Sequence, residues 1–329
     1  MDAIMGTGAY TYRAEENWPT LPKDIEIGDA AAVAVDKRDR VYLFNRGPNP
    51  IIVVDSAGNF LDTWGQDVFS GAHGLHIGAD DCIYCTDWVD HTVRKCSLDG
   101  KVLMEFGVSN KPGPYMSGKP FNRCTHTALS PDLDFLYVTD GYGNAHVHKF
   151  SADGKLLHTW GGSGADEGQF NLPHAICCDA DGWLYVADRE NHRIQIFDGN
   201  GKYETQINNL HRPCGLCLSN DESPICYVGE IGPYYSFNRT APNLGPRISI
   251  MTRDGKLLGR LAGDPPAGNN PGQFLSPHGL AVDSRGNLYV GQVGTLSWPS
   301  LFPGTPVPDN LCRVRKLTRI EDGQAKPAS

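Results

Sequence analysis

Hydrophobic residues alternate with polar ones in short runs of four to six along nearly the whole chain, and helical periodicity is nowhere sustained. Ala31-Ala-Val-Ala-Val-Asp36, Val41-Tyr-Leu-Phe44, Ile51-Ile-Val-Val54 and Phe60-Leu-Asp-Thr-Trp64 form one set of four such runs, and similar sets follow. Turn signals such as Ser56-Ala-Gly58, Leu98-Asp-Gly100, Ala152-Asp-Gly154 and Arg253-Asp-Gly255 separate them, as expected for hairpins. The sets are copies of one unit. His73-Gly-Leu-His-Ile-Gly-Ala-Asp-Asp-Cys-Ile-Tyr84, His174-Ala-Ile-Cys-Cys-Asp-Ala-Asp-Gly-Trp-Leu-Tyr185 and His278-Gly-Leu-Ala-Val-Asp-Ser-Arg-Gly-Asn-Leu-Tyr289 are its clearest versions. Units of four strands that recur every 40–50 residues or so predict a β-propeller. Six units, starting near residues 31, 73, 126, 174, 214 and 278, predict an all-β, six-bladed ring that occupies residues 1–329 as a single domain. The segment before Ala31 is expected to supply a strand that closes the ring, because an open sheet edge must be covered.

A ring brings distant residues together. Tyr42, Tyr84, Tyr137, Tyr185, Tyr227 and Tyr289 align the six units. Eleven positions before the tyrosine stand Ala31, His73, His126, His174 and His278, while blade five carries a two-residue insertion and offers Cys214. Blades two, four and six lie about 120° apart around a sixfold ring, so His73, His174 and His278 should converge as three nitrogen ligands. Such a set leaves one position on the metal open, as catalytic zinc requires. Three imidazoles also accept iron, manganese or cobalt. His126 falls in the same column by this count. It could be a fourth ligand, a hydrogen-bond donor behind the ligands or a packing residue, and the second role is favoured. Four positions past the tyrosine, Arg46 and Arg189 face each other from opposite blades, which suits capture of a carboxylate or stabilisation of an oxyanion. Tyr142, one position further along in blade three, would lie between metal and arginines, where cations favour the phenolate and fit it for general base or acid work. Three positions past the tyrosine, Asn45, Asp87, Asp140, Asp188, Glu230 and Gln292 either orient the imidazoles or cap turns, the latter being expected for most.

Composition narrows the partners. A net charge of −9 argues against a nucleic-acid or anionic-membrane binder, and no run approaches the length of a membrane span. The opening residues lack a signal-peptide pattern, and six of the ten cysteines sit in or beside apolar strands, so reduced thiols and a cytoplasmic location are expected. Residues 107–120, 232–246 and 296–308 interrupt the repeats with Gly, Pro, Asn and Tyr and are expected to wall a pocket at one mouth of the ring.

Six stretches resemble the peptidyl-α-hydroxyglycine α-amidating lyase family. They are Asn45-Arg-Gly47, Ala72-His-Gly-Leu75, Thr139-Asp-Gly-Tyr-Gly-Asn144, Leu172-Pro-His174, Ala187-Asp-Arg-Glu-Asn191 and Ser276-Pro-His278. The resemblance runs from about Gly28 to Leu317 and implies a propeller of NHL-type repeats in a stand-alone, bacterial-type member. It implies zinc on His73, His174 and His278, active-site arginines at Arg46 and Arg189, and a catalytic tyrosine at Tyr142. Two departures stand out: Ser276 replaces the family's methionine, and Gly279 replaces the aspartate of a structural calcium site, so calcium is not expected. Cysteines that pair in the secreted animal enzymes are replaced here by residues such as Gly143, Tyr185 and Ile196. The expected function is a zinc lyase cleaving the C–N bond of a carbinolamide or related small α-hydroxy acid that bears a carboxylate. A zinc hydrolase or hydratase using the same centre, or a propeller scaffold that binds protein or RNA, are the alternatives.

Overall fold

The computed structural model describes residues 3–219 and 224–320. Six antiparallel sheets form a six-bladed propeller. Blade one comprises Ala30–Val35, Val41–Asn45, Ile51–Val54 and Phe60–Trp64; blades two to five repeat this order beginning with Ala72–Ile77, His126–Leu129, Pro173–Cys178 and Pro213–Leu218. Blade six begins with Pro277–Val282 and Leu288–Gln292, and its third strand, Val314–Arg319, pairs with Tyr12–Ala14 from the start of the chain. Ala3–Met5 adds a fifth strand outside that one. The first strand of each blade packs against its counterpart in the next, and the sixth packs against the first, so the ring is closed.

The core is divided into six wedges, one between each pair of neighbouring sheets. Tyr42, Phe44 and Ile51 meet Leu75, Ile83 and Cys85 between blades one and two, and Trp18, Val33 and Leu43 meet Tyr289 and Val314 where blade six closes on blade one. Inner strands are buried on both faces against two different neighbours, so runs such as Ile51–Val54 are apolar throughout, and polar residues enter the outermost strands such as Phe60–Trp64. The six aligned tyrosines are all buried. In blades one, two, four and six the hydroxyl reaches back to an aspartate of the preceding turn, as Tyr84 does to Asp80 at 2.8 Å and Tyr289 to Asp283 at 3.0 Å. In blades three and five the hydroxyl finds other partners: Gly199 O at 2.9 Å for Tyr137, and the Tyr12 hydroxyl at 3.2 Å for Tyr227.

Among the described residues one α-helix interrupts the all-β pattern. Gly294–Leu301 forms a short α-helix within the loop of blade six, although it contains Pro299. Its apolar residues Trp298 and Leu301 pack on Leu275 and Leu311, so burial and not local periodicity holds it. Among the described residues no helix is long and apolar enough to cross a membrane. All ten cysteines are free thiols.

Candidate metal centre

The register of the sheets decides which residues face the axis. Each aligned tyrosine pairs across its hairpin with Ala34, His76, Ala128, Cys177, Cys217 or Ala281. Three residues before these partners stand Ala31, His73, Thr125, His174, Cys214 and His278. In blades one, two, four, five and six this stretch lies in a β-bulge, which turns the side chain out of the pleat and toward the axis. Blade three corrects the count made from sequence. The tyrosine lies eight residues after its partner in blades one, two, four and six (42−34, 84−76, 185−177, 289−281) but nine after it in blade three (137−128). The longer turn moves His126 one place out of the column, and Thr125 takes the axial position.

Six acceptors hold this column in place. Asn45, Asp87, Asp140, Asp188, Glu230 and Gln292 are buried and accept backbone amides from Gly28, Ser70, Asn122, Asn171, His211 and Leu275 respectively. Each of those amides lies three residues before the axial residue of its own blade. The ring of polar residues therefore caps the turns that lead into the innermost strands, and the imidazoles are oriented by something else.

That something is the backbone of the neighbouring blade. His73 Nδ1 lies 2.7 Å from Thr125 O, His174 Nδ1 2.9 Å from Cys214 O, and His278 Nδ1 2.7 Å from Ala31 O. A carbonyl can only accept, so each Nδ1 carries a proton and each Nε2 of the neutral ring presents a lone pair. The rings are kept neutral. Burial, reinforced by neighbouring imidazoles and arginines, pulls His73 and His174 well below the ordinary histidine value, and burial with Arg46 brings His278 to about 3. Ring centroids are 4.7 to 4.9 Å apart around the triangle. Among the described residues, these three side chains are the one cluster of three or more placed to share an ion, with ligand atoms within 4.8 Å of one another.

Tyr142 closes the triangle from above. Its hydroxyl is 3.1 Å from His73 Nε2, 3.4 Å from His174 Nε2 and 3.3 Å from Arg189 Nη1. One phenolic proton cannot satisfy two imidazole lone pairs, and the guanidinium already donates to the oxygen. The donor set therefore fits a cation, which would take the nitrogen lone pairs that no hydrogen serves. Arg46 stands across the same space, its Nε donating to Ala72 O at 3.1 Å and its guanidinium resting on Trp88, 5.6 Å from the ring centre.

One participant, Arg212, was not legible in the sequence. Glu190 accepts from Arg189 Nε at 2.8 Å and from Arg212 Nη2 at 2.9 Å, tying two cations to one carboxylate. Burial opposes the charge on Arg189, but Tyr142, Cys214 and Glu190 beside it outweigh burial. Cys214 Sγ lies 3.4 Å from His174 Nδ1, and burial pushes this thiol up to about 11, so it borders the centre as a neutral group. His126 lies lower on the axis. Its Nδ1 is 3.0 Å from Thr127 O, and burial brings it to about 4. His126 does not stand behind the ligands; the backbone carbonyls of Thr125, Cys214 and Ala31 take that place, each accepting from an Nδ1–H.

Three spaces line the axis. Above the triangle is a cavity of ≈ 170 Å³ between Arg46, Tyr142, Arg189 and His278 on one side and the 232–246 loop and the helix Gly294–Leu301 on the other. Directly beneath the imidazoles is a void of ≈ 10 Å³, and below His126 opens a cavity of ≈ 390 Å³ lined by His76, Cys177 and Cys217. The 107–120 loop does not line the upper cavity. It braces the Tyr142 loop, through Met116 N to Gly143 O at 2.8 Å and Gly118 N to Asn144 Oδ1 at 3.1 Å.

Residues 170–197 match the family described as NHL repeat. Human NHL repeat-containing protein 3 is 32% identical over 316 residues, an alignment covering 86% of this chain and 82% of that protein. The chain belongs to the NHL-repeat family. Peptidyl-alpha-hydroxyglycine alpha-amidating lyase 1 of Drosophila melanogaster is 28% identical over 87% of this chain and 59% of its own length. Peptidyl-glycine alpha-amidating monooxygenase B of Xenopus laevis is 28% identical over 84% of this chain, and the chain spans about a third (34%) of that relative. Among solved structures, a streptogramin B lyase superposes with a TM-score of 0.57 at 16% identity, covering 89% of this chain and 95% of that one, a likeness of fold.

Proposed function

We propose that this protein is a metal-dependent lyase that cleaves the C–N bond of a small carbinolamide of the α-hydroxyglycine type. The observation that carries the reading is the meeting of three neutral imidazoles with a phenol that Arg189 holds from behind. The names of the Drosophila and Xenopus relatives support the same direction. His73, His174 and His278 would hold zinc, or iron, manganese or cobalt, and the ion when bound supplies a Lewis acid that polarises an oxygen of the substrate.

The protein's own groups do the rest. Arg46 has its Nε committed to Ala72 O, leaving its terminal nitrogens to face the cavity and hold the substrate carboxylate. Arg189 donates to the oxygen of Tyr142 and offsets the negative charge that oxygen carries when Tyr142 acts as base in its phenolate form. The phenolate takes the hydroxyl proton of the carbinolamide, the C–O bond becomes a carbonyl, and the C–N bonding pair leaves with nitrogen. The same proton is returned to that nitrogen, giving an aldehyde acid and an amide with no other reactant consumed. A cavity of ≈ 170 Å³ suits a small substrate.

Two measurements test the reading together. Purified protein should carry about one transition-metal ion per chain, and His174→Ala should lose it while keeping its circular dichroism. Tyr142→Phe should keep the metal and lose about 10²–10⁴-fold in turnover of an N-acyl α-hydroxyglycine. A metal-free wild type, or a Tyr142→Phe variant as active as wild type, would discard the proposal. Incorporation of ¹⁸O from labelled water during the C–N cleavage step, with carbonyl exchange controlled, would mark a hydrolase.

A further inference from the structure

The upper cavity has two unlike ends. Its floor is charged and polar, with Arg46, Tyr142, Arg189 and His278. Its rim carries two large side chains from different loops, Tyr234 of blade five and Leu296 of the blade-six helix, which are 59% and 66% exposed. Both side chains are largely exposed, and both line the cavity whose floor carries the charged groups. Neither is loosely placed. Tyr234 lies over Arg212, 5.4 Å from ring centre to guanidinium, and Arg212 is fixed by Glu190 at 2.9 Å. Leu296 rides on a helix anchored by buried Trp298 and Leu301. Beyond Tyr234, Tyr235 and Phe237 stack nearly parallel, 5.3 Å apart at 6°, and continue the apolar shelf outward.

We propose that Tyr234 and Leu296 form a specificity rim that selects an apolar acyl group on the substrate nitrogen. The inference rests on the lyase reading for its orientation. With the carboxylate at Arg46 and the hydroxyl at the imidazoles, the acylated nitrogen of the reacting carbon points to the opening. The substrate class is therefore an N-acyl α-hydroxyglycine whose acyl group is an alkyl chain or an aromatic ring.

Binding of unhydroxylated ligands tests this without turnover. Metal-loaded protein is titrated calorimetrically with N-acetylglycine and with N-hexanoylglycine, which has four more methylenes. A rim that half-buries the added chain should tighten binding about tenfold. In the double variant Tyr234→Ala/Leu296→Ala the ratio between the two ligands should fall to about twofold. Equal affinity of both ligands for wild type, or a ratio that survives the double substitution, overturns the proposal. A second pair, acetate and hexanoate, separates this inference from the reading beneath it. If neither glycine derivative binds but hexanoate still binds about tenfold tighter than acetate through the rim, the α-hydroxyglycine reading falls and the rim stands. If hexanoate has no such advantage, the rim falls as well.

Discussion

Acid should destabilise the metal-free protein, and part of that loss traces to two histidines outside the metal ligands. His76 and His126 both line the lower axial cavity and are pulled from the ordinary 6.5 to about 4, chiefly by burial. For His126 the carbonyls of Thr127, Ile176 and Leu75 work against burial without overcoming it. In the unfolded chain each imidazole takes up a proton once the pH drops below about 6.5, whereas in the fold it does so only near 4. Between those values the unfolded state binds more protons, so stability is present in full above 6.5 and is lost as the pH falls toward 4. A difference of that size is worth about 3 kcal/mol for each group. The assay is urea denaturation of chelator-treated protein at a series of pH values, comparing wild type with His126→Leu. The variant has its own stability offset, but its loss between pH 6.5 and 4 should be smaller than that of wild type by about 3 kcal/mol. Parallel curves would show that His126 titrates normally in the fold and would refute the argument.

Further outcomes follow from the contacts around the centre. Glu190→Gln removes the charge shared by Arg189 and Arg212 and should lower kcat about tenfold with metal content unchanged, while Glu190→Asp recovers part of it; equal kcat in all three proteins would deny Glu190 a positioning role. Gly279→Ala places a methyl 2.5 Å from Ala32 Cα and 3.0 Å from Ala31 O, so it should cost about 1–3 kcal/mol and weaken metal binding by displacing the carbonyl that orients His278. A melting temperature and metal affinity equal to wild type would contradict this. Cys214→Ser should leave metal affinity within about twofold, because the thiol is neutral and lies against the ring of His174; a large loss would make the sulfur a ligand.

The architecture was readable because a repeat multiplies its own signal. One His-to-Tyr spacing is weak, but the same spacing in blades two, four and six identifies strands, turns and an axial column together. The same counting singles out Arg46, Arg189 and Tyr142, and the fold places their side chains together beside the triangle. Counting failed where a turn changed length. The extra residue between Ala128 and Tyr137 moved His126 out of a column in which the sequence placed it, since position on a strand is known only relative to its pairing. Residues outside the repeat left no periodic trace at all. Arg212 and Glu190 meet across two blades, the short helix exists because Trp298 and Leu301 have a pocket to fill, and the 107–120 loop turned inward to brace Tyr142 instead of walling the cavity. The six polar residues after the tyrosines were ambiguous because capping a turn and orienting a ligand use the same acceptor atoms.

The longer turn of blade three has an effect beyond its own hairpin. The residues that follow the axial ones in the other five blades are Ala32, Gly74, Ala175, Gly215 and Gly279, all small, whereas in blade three His126 follows Thr125 and brings a ring beside the void under the imidazoles. That ring stands in the bore of the wheel between the three imidazoles and the ≈ 390 Å³ chamber. Under the lyase proposal, substrate would therefore come and go past the arginines of the upper cavity.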